Sequence, residues 1–283
     1  MKLVRYGRPG KEKPGLIDDD GKLRDLSKKV KDITADVISP AGLKALAKLN
    51  VDRLPMVKGK QRLGIPVAGI RKCVCIGLNY SDHAAETGSP IPKEPIIFNK
   101  WTTALIGATD PVLIPKASVK TDWEVELAVV IGRRASNVPE AKALSYVAGY
   151  TIVNDVSERE LQIERGGSQW DKGKGLDTYG PVGPWLVTRD EIKDPQNLDM
   201  WLDVNGERMQ SGNTRTMIFS IKHLVSYCSR YMTLEPGDVI STGTPPGVGL
   251  GKKPQVFLKP GDVMTLGIQG LGAQRQELRA GKF

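Results

Sequence analysis

One acidic strand, the segment TDWEVELAVVIG at residues 121–132, restricts the possible fold and chemistry of this chain more than any other stretch. Side chains of an extended backbone alternate between two faces, so Glu124 and Glu126 project to the same side. The apolar run that follows them is typical of a strand buried on both faces. Two carboxylates at the mouth of such a strand repel each other, so one is protonated or a cation lies between them. The alternative is a frayed strand end whose acids face water.

The length of 283 residues favours one large domain together with a small one. We place a small N-terminal accessory domain at residues 1–68 and a catalytic domain at residues 69–283. The first unit contains short strand patterns, a turn signal at Asp20-Gly21 and a short helix pattern over residues 39–49.

The cellular compartment is predicted from two patterns that the sequence does not show, a signal peptide and a membrane span. The first residues, MKLVRYGRPGKEKPG, have no apolar core of the kind a signal peptide needs. No uninterrupted apolar run reaches the length of a membrane span. We therefore expect a cytoplasmic protein that has no membrane partner.

The net charge of +9 raises the question of nucleic-acid binding. Residues 1–62 contain 16 Lys and Arg against 8 Asp and Glu, so nearly all of the excess lies there, and it is spread along the segment. Aromatic residues make up only 6% of the chain, so platforms for stacking bases are scarce. We expect a solvated basic surface and no nucleic-acid partner.

A histidine and a glutamate lie three residues apart in the segment LNYSDHAAETGSPIPKEP. A short helical turn over HAAE places His83 and Glu86 on one face. The carboxylate can then hold the imidazole in one tautomer and leave its other nitrogen free to take a proton from water. The alternative is a solvent-exposed pair on a capped turn.

A third carboxylate, Asp155, ends the strand pattern of YTIVNDVSERELQ. Ser157 and Glu160 fit a capping box, which predicts a helix that starts there. Arg159 and Gln162 then follow Asp155 at the spacing of one helix face. The alternative for Asp155 is a negative charge favoured by the amino-terminal end of that helix.

Two further segments receive simple structural interpretations. Residues 168–185 are rich in glycine and proline and predict a loop, with Lys172 and Lys174 embedded in it. An amphipathic helix is predicted over residues 217–231, with His223 on its surface face. A lysine beside a metal can stabilise a developing oxyanion, whereas a lysine on a loop is usually solvated.

Five segments appear in an order that resembles the fumarylacetoacetate hydrolase family. They are GLNYSDHAAE, the acidic strand, NDVSERELQ, KGLDTYGPVGPW and TGTPPGVG, and the resemblance covers residues 73–283. It implies a mixed, mainly β (α+β) fold, with a catalytic β-roll or sandwich and a small N-terminal domain, in a homodimer. It also implies that Glu124, Glu126 and Asp155 bind Mg²⁺ or Mn²⁺, because these cations prefer carboxylate ligands. It further implies that a 2-oxo acid chelates the bound metal.

The resemblance implies roles for further residues. Lys174 matches the family's active-site lysine, and His83 with Glu86 matches a lid pair that activates water. The positions that contact substrate or its enolate are matched by Arg159, Gln162 and Thr244. One departure is Leu78, where many acylpyruvase and oxaloacetate decarboxylase members have arginine.

The chain looks most similar to bacterial 2,4-diketo-3-deoxy sugar-acid hydrolases and ureidoglycolate lyases. The function that this resemblance implies is an Mg²⁺-dependent hydrolase that cleaves a C–C bond in a 2,4-diketo acid and releases pyruvate. The alternative is a ureidoglycolate lyase, or an oxaloacetate decarboxylase or acylpyruvase, that uses the same metal site. A non-catalytic basic module for nucleic acid is the third hypothesis, and it depends on the charge alone.

Overall fold

Seventeen β-strands and four short α-helices organise residues 1–282, the part of the chain that this computed structural model describes. The first nine strands are β1 (Lys2–Tyr6), β2 (Lys13–Ile17), β3 (Leu23–Asp25), β4 (Cys73–Gly77), β5 (Ile96–Lys100), β6 (Leu105–Gly107), β7 (Val112–Ile114), β8 (Thr121–Asp122) and β9 (Val125–Ile131). The other eight are β10 (Val147–Asn154), β11 (Ser157–Glu158), β12 (Gly180–Thr188), β13 (Asp199–Val204), β14 (Glu207–Asn213), β15 (Val239–Ser241), β16 (Val263–Ile268) and β17 (Gly272–Ala280). The α-helices are α1 (Pro40–Leu46), α2 (Ser81–Thr87), α3 (Asp171–Lys174) and α4 (Ile221–Tyr231), and a π-helical turn covers Glu160–Glu164.

Two sheets carry most of these strands. The larger has ten strands in the order β3-β2-β1-β12-β10-β9-β15-β4-β5, with β6 paired to β12 in parallel. The smaller has five, in the order β14-β13-β16-β17-β7, and β8 pairs separately with β11. This mainly β, α+β architecture confirms the predicted fold class. None of the helices in residues 1–282 has the length and apolar character that crossing a bilayer requires.

Strand β9 occupies the middle of the large sheet, as its apolar run predicts. It pairs with β10 on one side and with β15 on the other, and every one of its residues is buried. Leu127 and Val129 contribute to one hydrophobic cluster, whereas Ala128 and Val130 contribute to the other. The alternation of an extended backbone thus fills both faces of the sheet, which fixes where the strand's acidic end lies.

The amino-terminal segment shares the large sheet with the remainder of the chain. Strand β1 pairs with β12 through Lys2 opposite Val187 and Leu3 opposite Leu186. The second hydrophobic cluster combines apolar side chains from both sides of the predicted boundary, including Leu3 and Val130. The division at residue 68 stays a prediction.

Part of the segment predicted as a loop, residues 168–185, forms regular structure, so that prediction is wrong. Residues 171–174 form α3, and residues 180–188 form β12, which pairs with β1, β6 and β10. Proline removes a backbone donor, but tertiary pairing outweighs this local cost. Gln274 donates from Nε2 to the carbonyl oxygens of Pro181 and Gly183, at 3.4 and 3.0 Å, which satisfies two acceptors of the irregular strand.

The helix predicted to start at Ser157 is also wrong. Ser157 continues as strand β11 opposite Asp122, and its hydroxyl donates to the carbonyl oxygen of Asp155 at 2.8 Å. The hydroxyl is therefore not a helix cap, and only the π-helical turn follows. The later helix, predicted from residue 217, begins at Ile221, where the Ser220 hydroxyl accepts from the backbone N–H of His223.

Leu3→Ala tests whether the amino-terminal segment and the large sheet unfold together. Leu3 is fully buried, so we expect the free energy of unfolding to fall by about 2–5 kcal/mol, in a single transition that includes the whole chain. Denaturant unfolding, followed by circular dichroism and by tryptophan fluorescence, measures both quantities. Met56→Ala, at a residue that is 50% exposed in the same segment, is the control and should change little. Two separate transitions would contradict a shared core.

Candidate functional site

Three buried carboxylates converge at the edge of the central strands. Glu126 lies in β9, Glu124 comes two residues before it, and Asp155 directly follows β10. The backbone N–H of Asp155 donates to the carbonyl oxygen of Glu124 at 2.9 Å, which ties the two strand ends together. One oxygen from each side chain lies within 4.8 Å of the others. The pairing of β9 with β10 therefore assembles the cluster that the sequence predicts.

Basic side chains are packed against the same carboxylates. Lys174 Nζ lies 2.8 Å from Glu124 Oε2 and 2.9 Å from Asp155 Oδ2. Lys100 Nζ lies 2.7 Å from Asp155 Oδ1 but outside hydrogen-bond geometry, so that oxygen keeps an unused lone pair. Arg159 Nη1 lies 2.7 Å from Glu124 Oε1. The carboxylates are thus both close together and partly neutralised.

A charge balance shows that the cluster still suits a divalent cation. Asp122, which pairs with Arg159 at 2.8 Å, is the fourth buried carboxylate. Four carboxylates face three cations, two lysines and one arginine, which leaves one negative charge if all are ionised. A bound divalent cation would turn this into one positive charge, which an anionic 2-oxo acid would offset. Carboxylate oxygens are the ligands that Mg²⁺ and Mn²⁺ prefer, so the residues present fit such an ion.

Glu126 is the carboxylate whose ionised form is most destabilised by the neighbouring negative charges. Among residues 1–282 it has no salt bridge, and it accepts from Ser241 Oγ at 2.6 Å and the Gly243 N–H at 2.9 Å. Burial, followed by the charges on Asp155 and Glu124, raises the pKa of Glu126 well above its usual range.

Glu124 shows the opposite balance. Burial would raise its pKa, but the charges of Lys174 and Arg159 outweigh burial and lower the pKa of Glu124 to about 2. This carboxylate therefore stays ionised, and one strand presents two carboxylates whose proton affinities differ widely.

The predicted histidine pair lies in α2, above the same cavity. His83 Nδ1 lies 3.0 Å from Glu86 Oε2, and the backbone N–H of Gly247 donates to Glu86 Oε1 at 2.9 Å. Burial would raise the pKa of Glu86, but these two hydrogen bonds lower it, so the carboxylate is ionised and can only accept. In the neutral imidazole, the nitrogen that donates to this carboxylate is therefore Nδ1, and Nε2 is the nitrogen with a lone pair.

A cavity of about 180 Å³ joins His83 to Glu124 and Glu126, whereas Asp155 and Glu86 are not in its wall. Seven of the predicted site residues line it: His83, Glu124, Glu126, Arg159, Gln162, Lys174 and Thr244. Arg159 Nη1 donates to Gln162 Oε1 at 3.0 Å, and Arg159 Nη2 is buried with no hydrogen-bond partner among residues 1–282. The Thr244 hydroxyl donates to the carbonyl oxygen of Val125 and accepts from Gln210 Nε2, so it is already satisfied.

Sequence reasoning missed two charged residues of this site. Asp122 precedes Glu124 at the same period of two, a signal that could have placed it on the same face. Lys100 ends the apolar strand β5, and a lysine in such a strand indicates a buried partner. Lys172, the other lysine weighed as a candidate, is not in the cavity wall: its ammonium donates to the carbonyl oxygen of Arg165.

A family model described as "Fumarylacetoacetate (FAA) hydrolase C-terminal" matches residues 72–279. A Burkholderia multivorans protein named "Putative hydrolase" is 62% identical over 283 residues, and the match covers 100% of both chains.

Two solved structures are similar along the whole chain. The fumarylacetoacetate hydrolase of Exiguobacterium antarcticum has a TM-score of 0.87 at 34% identity and covers 99% of this chain and 100% of its own. The maleylpyruvate hydrolase of Sphingobium sp. SYK-6, in complex with manganese (II) ion and pyruvate, has a TM-score of 0.84 at 28% identity and covers 100% of each chain.

Lys100→Met tests the electrostatic role of the buried lysine. The substitution keeps the length of the side chain but leaves Asp155 with one cation fewer, so we expect the free energy of unfolding to fall by roughly 3 kcal/mol. Lys120→Met, which removes the more exposed pair with Glu164, is the control and should cost about 1 kcal/mol or less. Chemical denaturation measures both values, and equal effects would contradict the buried charge balance.

Proposed function

The chain belongs to the fumarylacetoacetate hydrolase family, and from this premise we propose that it is a metal-dependent hydrolase of 2,4-diketo acids. In this reaction water cleaves the C3–C4 bond and releases pyruvate and a carboxylic acid. The observation that carries the proposal is the convergence of three buried carboxylates beneath a histidine whose Nε2 is free. The manganese (II) ion and pyruvate in the related maleylpyruvate hydrolase support it.

Glu124, Glu126 and Asp155 would hold the cation, for which we propose Mg²⁺, with Mn²⁺ as the alternative. When bound, the ion would supply Lewis-acid polarisation of the substrate's carboxylate and 2-oxo group. Arg159 Nη2, the buried donor that has no partner, and the Gln162 amide are suited to orient the oxygen atoms of this acid. Thr244 lies in the same wall and is proposed to contact the substrate through its backbone or methyl group.

His83 is proposed as the general base. Glu86 fixes Nδ1 as the protonated nitrogen, so Nε2 is the atom that accepts a proton from water. The resulting hydroxide attacks the C4 carbonyl carbon of the diketo acid. When the C3–C4 bond breaks, its electron pair goes to the three-carbon fragment, which leaves as the enolate of pyruvate and is then protonated at C3.

Lys174 is proposed to stabilise the negative charge that develops on that enolate. Its ammonium is buried and held between Glu124 and Asp155. Burial would lower the pKa of Lys174, but the charges on Asp155 and Glu124 outweigh burial and raise it, so the group stays cationic. A fixed, buried cation stabilises developing charge more effectively than one that water must reorganise around.

The remaining assignments extend the same proposal. We propose a 2-oxo acid of the diketo-deoxy sugar-acid type as substrate, a homodimer as the assembly and the cytoplasm as the location. The second candidate is a lyase or decarboxylase reaction on ureidoglycolate or oxaloacetate. It would use the same carboxylates but would not need His83 as a base, so the two candidates differ in one residue.

Metal removal is the first test. EDTA should abolish pyruvate release from a 2,4-diketo acid, and Mg²⁺ or Mn²⁺ should restore it and raise the melting temperature. Glu126→Gln should lose the metal-dependent rise in melting temperature, because it replaces one ligand by a neutral amide. Glu164→Gln, at an exposed carboxylate, is the control and should keep it. Full activity in EDTA would contradict the proposal.

His83→Ala separates the two candidate reactions. If His83 is the general base, the turnover number for a 2,4-diketo acid should fall by about 10²–10⁴. A lyase or decarboxylase should keep most of its activity on ureidoglycolate or oxaloacetate. His223→Ala is the matched control, because it removes the other histidine of the chain. His223 lies on α4, outside the cavity, and pairs with Glu140. Coupled assays for pyruvate and glyoxylate measure both reactions.

A further inference from the structure

Part of the cavity wall, which we call its apolar end, is formed by apolar side chains and not by charged ones. We infer that this end binds an uncharged, largely apolar acyl group, so the substrate class is a 2,4-diketo acid without a second carboxylate. The inference rests on the proposed function and deepens it by naming which acyl groups the site accepts. Five apolar side chains line this end: Leu78, Phe98, Ile163, Trp170 and Leu250.

An aromatic wall begins directly beside the charged cluster. Lys174 Nζ lies 5.0 Å from the centre of the Phe98 ring, and the Phe98 and Trp170 ring centres are 5.4 Å apart. A side chain at Gly77 would collide with the Trp170 ring, so the glycine permits this position of the indole. The wall is thus a built feature that continues outward from Lys174, the residue proposed to face the pyruvate fragment.

Leu78 completes the wall at the start of the lid. It follows β4 and precedes α2, and its backbone lies in the left-handed region at φ +48°. Leucine is seldom found in this conformation, which costs about 1–3 kcal/mol and persists only where the surroundings determine it. The strained backbone places a purely apolar side chain in the same cavity wall as the two aromatic rings and His83. This makes Leu78 a specificity-determining residue.

A substrate with a second carboxylate would find no free cation at the apolar end of the cavity. Among residues 1–282, the basic side chains in the wall are His83, Arg159 and Lys174. Each of them pairs with a carboxylate: Glu86, Asp122 with Glu124, and Glu124 with Asp155, respectively. Arg159 Nη2, the one guanidinium nitrogen that these pairs leave without a partner in the described part of the chain, is assigned above to the oxygen atoms of the 2-oxo acid itself. A substrate carboxylate at this end would lie against apolar side chains without a free cation to pair with, whereas an apolar acyl group would bury its own surface against them.

Two hydroxyl groups and the cavity volume refine this class. Thr87 Oγ1 donates to Ser89 Oγ at 3.0 Å, and both residues line the cavity, so one hydroxyl of an acyl group can be accommodated. The cavity volume of about 180 Å³ is below the roughly 300 Å³ at which sites for drug-sized ligands begin. A short acyl group with one hydroxyl fits these limits, so the inference restricts the proposed sugar-acid substrates to those with a short acyl chain.

The test compares two unreactive 2-oxo acids of equal length, 2-oxohexanoate and 2-oxoadipate, which differ only in a methyl or carboxylate end. Neither has a 4-oxo group, so binding to the Mg²⁺-loaded protein can be measured by calorimetry without turnover. We expect 2-oxohexanoate to bind at least about 10-fold more tightly, because its methyl end packs against the apolar wall, where a carboxylate finds no free cation. Leu78→Arg should reduce or reverse this ratio, whereas Leu78→Met, the apolar control of similar size, should preserve it.

The possible results separate the inference from the proposed function. Equal binding of the two acids, or tighter binding of 2-oxoadipate, would overturn the inference and leave the diketo-acid site intact. If neither acid binds, the inference fails together with the proposed function. The comparison in the unaltered protein decides the matter even if Leu78→Arg does not fold.

Discussion

Glu124, Glu126 and Asp155 repel one another in a buried site where water screens their charges weakly. The pairing of β9 with β10 forces them together, because the backbone of Asp155 is hydrogen-bonded to that of Glu124. Three cations offset part of the repulsion: Lys100 and Lys174 lie beside Asp155, and Arg159 lies beside Glu124. The repulsion that they leave is greatest at Glu126, which has no salt bridge among residues 1–282 and whose pKa is raised, and a bound divalent cation would offset it.

A single loop after β15 supports both halves of the site. Near its start, Ser241 and Gly243 donate to Glu126, the carboxylate with the least favourable environment. Farther along, Gly247 donates to Glu86 and so anchors the lid that carries His83. Because the same backbone holds the innermost carboxylate and the lid, the proposed base and the proposed metal ligands have a fixed relation to each other.

The segment around α3 joins the charged end of the cavity to its apolar end. Its helix ends in Lys174, which lies among the carboxylates, and it is preceded by Trp170, which forms the outer wall with Phe98. One short helix therefore sets both the cation that would face the enolate and the surface that would face the acyl group. Substrate choice and catalysis are in this way linked through local structure.

The sequence by itself determined the central strand, the shared face of Glu124 and Glu126 and the spacing of His83 and Glu86, because periods of two and of three to four residues are local. That Asp155 joins the two glutamates was implied only by the family resemblance, since it depends on the pairing of β9 with β10. Only the tertiary structure decided the role of Lys100 and the strand at residues 180–188. Both depend on partners far away in the chain, and no local pattern carries that information: a lysine is ordinarily solvated, and a Gly/Pro-rich stretch is ordinarily a loop until neighbouring strands pair with it.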